Sequence, residues 1–569
     1  MKWMSNIFYK GKGFFEAVLE YPITAFFLLL SSAIFVFEIH SGGDYEVELF
    51  TSILGALVGV VLKAFFDRFL KKARFQFIGA GVTLLLVCGY YSLFRIVPQQ
   101  AMRIRSLVLF FLLFLVFLWI PTNRQQLPFS KVFSDAFQAF FQTLLYAVVL
   151  FLGMLLVIFT FDQLVFSLDE NIYSYVATMV FVLFSPLFFL SLLPDYQKKE
   201  FPHFFDILLT YVIIPLSFLF TAILYLYIGK NMITRIWNDT RMEPILVSYG
   251  ILILILYFLA SEEKGKSAHL FRFLAPKLLI PIALYQIAVS TLVMQEGGLT
   301  VDRYFVLLFG IFAVVSGVLA SFIKREKNSI LAGILICFTL VSFVPPLDAV
   351  SVSIRSQKKR LESLLETRGM LANQVLLENT ELSTKDKEQV VSALTYILEL
   401  GYGDSLTWLL KDFQMERDFE TVFGFSAYDV PQKEWESVSV ARSEAALLSI
   451  AEYDFFIRFH CSLGQKDSEI GKVQTEQGKY VLWIRTIGGE QKIVLVDEMD
   501  EELLSFSITQ IRERYLSYST DFVELAKEDA QFLEENERVK LLIGINQGNF
   551  NKGGDDFYYM DGDLFLEIK

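Results

Sequence analysis

From Ile23 onward the chain alternates long apolar runs with short polar breaks, and the spacing predicts a series of membrane-spanning helices. A helix that crosses the hydrocarbon core needs roughly 20 mostly apolar residues. Runs of that kind begin near Ile23, Leu49, Phe75, Ile104, Phe137, Ser174, Ile207, Ile245, Leu278, Phe305 and Ile330. Any one of them alone reads equally well as a buried helix of a soluble protein; eleven in series are a bundle built for lipid. The first run follows Lys10 and Lys12 and ends in Glu38, Ile39 and His40, without a small-residue cleavage site, so it reads as a retained anchor.

Near residue 350 the pattern changes. Leu361, Leu364 and Leu365 share one face of a predicted helix, and Val391, Leu394, Ile397 and Leu398 repeat that spacing in a second, with Ser383 as its N-cap. After residue 450 the texture becomes β, in FFIRFHC, GKYVLWIRTI, QKIVLVDEM, KLLIGINQGNF and GDLFLEIK. A helix is expected from Ser507 to Tyr518, and Asp561 with Gly562 reads as a hairpin turn. The expected fold is a polytopic α-helical membrane bundle of about 11 transmembrane helices followed by a C-terminal soluble α+β domain. Its boundaries are a multi-span domain over 1–350 and an acidic domain over 351–569, helical over 356–410 and β-rich over 450–569.

Composition sharpens this division. The 569 residues are 54% hydrophobic and include 58 phenylalanines, too apolar for an ordinary soluble chain. The net charge of -12 is unevenly spread, about +4 over Met1–Ile354 and about -16 over Arg355–Lys569. An acidic soluble half argues against nucleic acid as a partner, because phosphate binding needs a basic face. Cys88 and Cys337 sit inside apolar runs and Cys461 stands alone in the soluble half, so no disulfide framework is expected.

Lysine and arginine set the expected orientation. With a cytoplasmic N-terminus, 19 basic residues fall on inner segments and 7 on outer ones, and an odd number of spans then carries the soluble domain outside. Arg95, Arg103 and Arg105 on an outer loop, and Arg355, Lys358, Lys359 and Arg360 after the last span, run against the bias.

Chemistry inside the apolar region is sparse. A charge at mid-membrane costs about 2.5 to 3.5 kcal/mol and is kept only for use. Here Glu38, Lys63, Arg95, Asp162 and Asp206 sit at run ends, which argues against a proton or sodium pump. Gln142, Gln286, Tyr285, Ser290 and Thr339 read as interhelical hydrogen-bonding groups, Gly55 and Gly59 as a close-approach pair, and Pro186, Pro215 and Pro281 as kinks that aid packing. In the soluble half, His460 and Cys461 are adjacent on a strand and point to opposite faces, so they form no dyad. Asp555, Asp556, Asp561 and Asp563, with Asn549 and Asn551 before them, read as a solvated turn; Met560 stands where an EF-hand needs its closing Glu. No phosphate loop, HExxH or GxSxG occurs, and no cofactor or metal is expected.

Three segments carry a family resemblance: VDRYFVLLFG (Val301–Gly310), PLDAVSVSIRSQKKRLESLL (Pro346–Leu365) and LSTKDKEQVVSALTYILELGYGDSL (Leu382–Leu406). They resemble the DUF4153 family of bacterial membrane proteins, which has no established function, and the likeness in architecture runs from Tyr21 to about Leu406. The loop from Lys230 to Glu243 keeps Trp237 but departs from the family's Trp-Pro-x-Gly pattern. The motif segments bring Asp302, Arg303 and Tyr304 to the membrane boundary, with Arg355, Ser356 and Gln357 leaving the last span on the same side. Either they form a polar interfacial site or they anchor the soluble domain, and the second is the expectation.

The sequence thus points to a cell-membrane protein, lacking any recognisable catalytic set, whose bundle anchors an extracytoplasmic domain that binds an envelope component or a membrane protein partner. A carrier or flippase for a lipid-linked or hydrophobic substrate is the first alternative, and a membrane-interface enzyme near Asp302 and Arg303 the second. The ligand and the oligomeric state stay open.

Overall fold

Inside a bilayer no water meets the peptide groups of a spanning segment, so each apolar run must satisfy its own backbone, and a helix does so. The computed structural model describes residues 15–569 apart from 70–74, 123–127, 165–167, 170, 194–206, 235–242, 264, 324–326, 374, 378–381, 412, 428–436, 444–452, 463–466, 476–477, 488–489, 519–521 and 552–557. Asp206, Trp237, Asp555 and Asp556 therefore lie outside the described residues.

The chain divides into two compact units, Met1–Ala427 and Tyr428–Lys569. In the first, helical passages follow one another as α1 (Pro22–Ser41), α2 (Glu46–Phe69), α3 (Phe75–Ile96), α4 (Gln99–Trp119), α5 (Phe129–Leu164) and α6 (Asn171–Leu192). They continue as α7 (Leu209–Thr234), α8 (Glu243–Ala260), α9 (Lys266–Gly297), α10 (Val301–Phe322) and α11 (Ser329–Phe343). Among the described residues, ten of these are long and apolar enough to cross a membrane, and α11 is a shorter apolar helix. Leu145, Val149, Leu152, Leu156 and Val157 on α5 are exposed, a surface only lipid can cover at low cost. The chain is a multi-pass membrane protein.

Successive passages alternate in direction. Arg103 at the start of α4 pairs with Glu46 at the start of α2, Tyr91 near the end of α3 donates to Glu48 at 3.2 Å, and Arg105 reaches Asp348 just after α11. Tyr304 at the start of α10 donates to the Leu347 carbonyl at 2.7 Å. These residues mark one end of the bundle. At the opposite end Ser130 of α5 donates to Glu262 at 2.6 Å, and Asn328 before α11 to Ser261 at 3.4 Å. Helix α11 therefore runs the length of the bundle even though its 15 residues rise only about 22 Å; Val344–Leu347 complete the distance to Asp348 as irregular chain.

Close packing follows from small residues. A Cβ on Gly55 would lie 2.5 Å from the Phe27 ring, and one on Gly59 would lie 3.0 Å from Ile23 and Thr24, so this glycine pair is where α1 and α2 meet. Ser31 and Ser52 share a 2.8 Å hydrogen bond across the same contact. The prolines do not break their helices: π-helical turns at Met179–Phe184 and Leu209–Ile213 precede Pro186 and Pro215, and α9 runs continuously through Pro276 and Pro281.

After α11 come α12 (Ala349–Thr367), a hairpin of β1 (Leu371–Ala372) and β2 (Val375–Leu376), α13 (Thr384–Glu399) and α14 (Met415–Phe423). The Ser383 hydroxyl caps α13 by accepting from the Asp386 amide at 3.2 Å. Leu361, Leu365, Leu394 and Ile397 are fully buried, as their periodicity predicts, while Leu364, Val391 and Leu398 are only half-buried and Val390, outside the predicted face, is fully buried. These helices belong to the same compact unit as the bundle.

The second unit contains β3 (Ser437–Arg442), β4 (Phe455–Ser462), β5 (Ser468–Thr475), β6 (Gly478–Ile487), β7 (Glu490–Val496) and β8 (Glu502–Ser507). It continues with α15 (Ile508–Leu516), β9 (Phe522–Leu525), β10 (Gln531–Glu535), β11 (Val539–Asn551) and β12 (Tyr558–Ile568). One sheet has the order β4-β12-β11-β3-β9 with β10 also on β11, and the other is the meander β5-β6-β7-β8. Val440, Cys461 and Ile543 of the first sheet, Leu482 and Ile493 of the second, and Ile511 and Tyr515 of α15 share one core. Asp561 and Gly562 are not a turn. They lie inside β12, opposite His460 and Phe459 of β4. Gly562 is there because a Cβ would meet the Phe459 ring at 2.5 Å and the Gly544 carbonyl oxygen at 2.7 Å, a close approach that looks like turn chemistry in sequence.

Candidate functional site

A helix ends with carbonyls that have no partner of their own, and a buried end must find donors elsewhere. Helix α9 ends at the turn Gly297–Thr300, and α10 begins one residue later. Gly298 follows the helix with φ +70° and ψ 177°, a backbone conformation that L side chains rarely adopt, its N–H still bonding the Met294 carbonyl, and a Cβ there would lie 2.8 Å from the Gln357 amide nitrogen.

Side chains from three helices converge on this turn. From α10, Arg303 donates to the Gly298 carbonyl at 3.2 Å. From α12, Gln357 donates to the Gly297 and Leu299 carbonyls at 3.0 and 3.3 Å, and Arg360 to Gly297 at 3.0 Å. The amides are met as well: Leu299 N–H donates to the Ser356 hydroxyl at 3.1 Å, and Val301 N–H to the Tyr396 hydroxyl of α13 at 2.8 Å. Two guanidiniums at a helix C-terminus are favoured by its partial negative charge. Burial first, and then the neighbouring Arg303, lower the Arg360 pKa, yet arginine stays charged throughout the physiological range. Burial raises the pKa of the Tyr396 phenol, which stays protonated.

Beside this clamp lies a buried ion pair. Asp348 caps α12 by accepting from the Ser351 amide at 3.3 Å, and its carboxylate meets Arg105 of α4 at 2.9 Å. The Asp348 side chain is fully buried and that of Arg105 is 13% exposed.

Of the six residues read as a polar site from sequence, Arg303, Ser356 and Gln357 come together, and Tyr304 ties α10 to Leu347 close by. Asp302 and Arg355 are exposed and take no part in the clamp. Sequence reasoning missed Arg105, Asp348, Arg360 and Tyr396. Asp348 had a legible signal, an acidic residue directly before a helical run; its partner, 243 residues away in sequence, had none.

The arrangement has little capacity for acid–base work. Its donors are engaged with backbone carbonyls, and its buried carboxylate is neutralised by a guanidinium. Among the described residues, no group of three or more His, Cys, Asp or Glu side chains could hold a metal ion. In the second unit, Cys461 is fully buried and His460 lies on the other face, its Nδ1 2.6 Å from Asp561. Asp561 also accepts from Gln547 at 2.8 Å, and this bond, followed by that to His460, holds its carboxyl below the ordinary aspartate range.

A family model described as Domain of unknown function (DUF4153) matches residues 23–385, more than half of the chain. Comparison with curated proteins and with solved structures finds no match. The matched span includes the clamp turn, α12 and the Arg105–Asp348 pair, and it stops before the β unit.

Proposed function

The chain belongs to the DUF4153 family, and from that premise we propose that it is a membrane anchor whose bundle holds an extracytoplasmic binding or scaffold module for an envelope component or a partner protein. One observation carries this reading. The polar residues where α9, α10 and α12 meet are used to fix a turn and a helix start, which is the work of a joint.

The same reading disfavours the carrier. Of the deep polar groups, Gln286 bonds across to the Val306 carbonyl at 3.0 Å and Asn231 to Tyr285 at 3.2 Å, whereas Thr339 bonds to the Leu335 carbonyl of its own helix and the buried Ser290 hydroxyl meets no hydrogen-bond partner among the described residues. It disfavours the interface enzyme because Arg303 is committed to backbone carbonyls and Asp302 stands apart. External placement draws support from the arginines that opposed the charge bias. Arg103 and Arg105 are paired with Glu46 and Asp348, and Arg95 lies 3.8 Å from Glu48, so their weight as free positive charge is reduced. Among the described residues, the ten longer helices and the shorter α11 together make an odd number of passages, which adds to that support.

Cys461 is buried and cannot report on sidedness, whereas Met499 is 89% exposed. With the three native cysteines replaced by serine, Met499→Cys labels with an impermeant maleimide in intact cells if the β unit is outside. Labelling only after permeabilisation overturns the placement. A photoreactive residue at Arg458, exposed on the sheet, then tests for a partner: a discrete adduct supports the binding module, and its absence leaves an anchor alone.

A further inference from the structure

At the end of the bundle where α1 begins, α1, α2 and α3 enclose a groove of about 570 Å³. Ile23, Leu62, Phe66 and Phe77 form its apolar wall, and Glu20, Lys63 and Asp67 its charged rim. Phe77 is 85% exposed beside it, so the wall continues onto lipid-facing surface. A groove that opens from a spanning helix bundle cannot stay empty in a membrane, since the surrounding medium supplies acyl chains at no cost in apolar burial.

The rim determines which lipid. The Lys63 side chain is only 18% exposed, with its ammonium 2.7 Å from Asp67 and 6.0 Å from the centre of the Tyr21 ring. Glu20 supplies a second carboxylate. One recessed cation paired with Asp67, with Glu20 on the same rim, complements a headgroup that carries both signs, with the phosphate at Lys63 and the amine toward the carboxylates. Among the described lining residues the two carboxylates outnumber the one cation, which disfavours an anionic headgroup without an amine.

We infer that this groove is a binding site for a single membrane phospholipid with a zwitterionic, primary-amine headgroup. A primary ammonium has three N–H donors for two carboxylates, whereas a quaternary ammonium has none.

Native mass spectrometry of the full-length protein, released from detergent with added phosphatidylethanolamine, phosphatidylcholine or phosphatidylglycerol, tests this directly. One phosphatidylethanolamine should be retained about tenfold more than either of the others. Equal retention of all three overturns the proposal. Two variants separate head from tail: Lys63→Gln with Asp67→Asn should abolish the headgroup preference, and Ala80→Phe, at an exposed wall position, should reduce retention of every lipid. An unchanged preference in the first variant, or unchanged retention in the second, counts against the site. Should either variant fail to fold, the wild-type comparison still decides.

Discussion

The Arg105 guanidinium lies 2.9 Å from the Asp348 carboxylate, joining α4 to the residue that caps α12, 243 positions further along the chain. Removing one partner leaves a charge buried and unpaired, which costs about 3–5 kcal/mol. Arg105→Ala should therefore lower the melting temperature of the detergent-purified protein more than any exposed-arginine control such as Arg355→Ala. Asp348→Asn, which can still accept from the Ser351 amide, should fall between Arg105→Ala and wild type. Wild-type melting in Arg105→Ala would show that the pair does not hold α12 in place.

The clamp on the α9–α10 turn makes a local prediction. Ser356 and Tyr396 accept from the Leu299 and Val301 amides, and a single such bond contributes about 1 kcal/mol. Ser356→Ala and Tyr396→Phe should each speed hydrogen exchange of the 297–301 segment several-fold, with little change elsewhere. Asp302→Asn and Arg355→Ala, outside the clamp, should leave it unchanged. Equal acceleration in both pairs would mean that the turn is not held by these side chains.

What was legible in the sequence follows from the range of the forces. Apolar run length and helix periodicity are local, so the passages, the Ser383 cap and the faces of α12 and α13 could be read directly. Helix starts were read late where polar residues extend a spanning helix, as Lys266–Lys277 do for α9. The clamp was half legible: Ser356, Gln357, Arg360 and Tyr396 all sit in the quoted motif segments, but nothing local marks Arg360 and Tyr396, whose roles arise only through tertiary contact. Asp561 and Gly562 misled because a glycine needed for ring contact inside a strand has the same local signature as a turn.

Helix contact in the bundle can be tested at glycines that differ only in their surroundings. Gly55→Leu drives a side chain into the Phe27 ring, an overpacking that costs about 1–3 kcal/mol. At Gly153 on α5 a Cβ would have nothing within 4 Å, so Gly153→Leu should be neutral. Thermal stability followed by fluorescence-detected size exclusion should separate the two, and comparable losses in both would assign the effect to something other than α1–α2 packing.

The β unit carries a pH dependence whose sign is fixed by Asp561. Its folded pKa is depressed, by the Gln547 amide first and by His460 second, so the folded unit binds this proton less readily than the unfolded chain does. The ionised carboxylate therefore contributes stability that is present above the ordinary aspartate value of 3.8 and is lost as pH falls through the lower folded value. Hydrogen exchange of β12 in the full-length protein, followed from neutral pH into this acid window and corrected for intrinsic exchange, should show the strand loosening as Asp561 takes up its proton. Asp561→Asn should remove that part of the acid response. Gln547→Ala should weaken it more than His460→Ala, in keeping with the order of the two contributions. If Asp561→Asn keeps the wild-type acid response, the proton responsible sits on another group and the link between β4, β11 and β12 through this carboxylate does not govern the unit's stability.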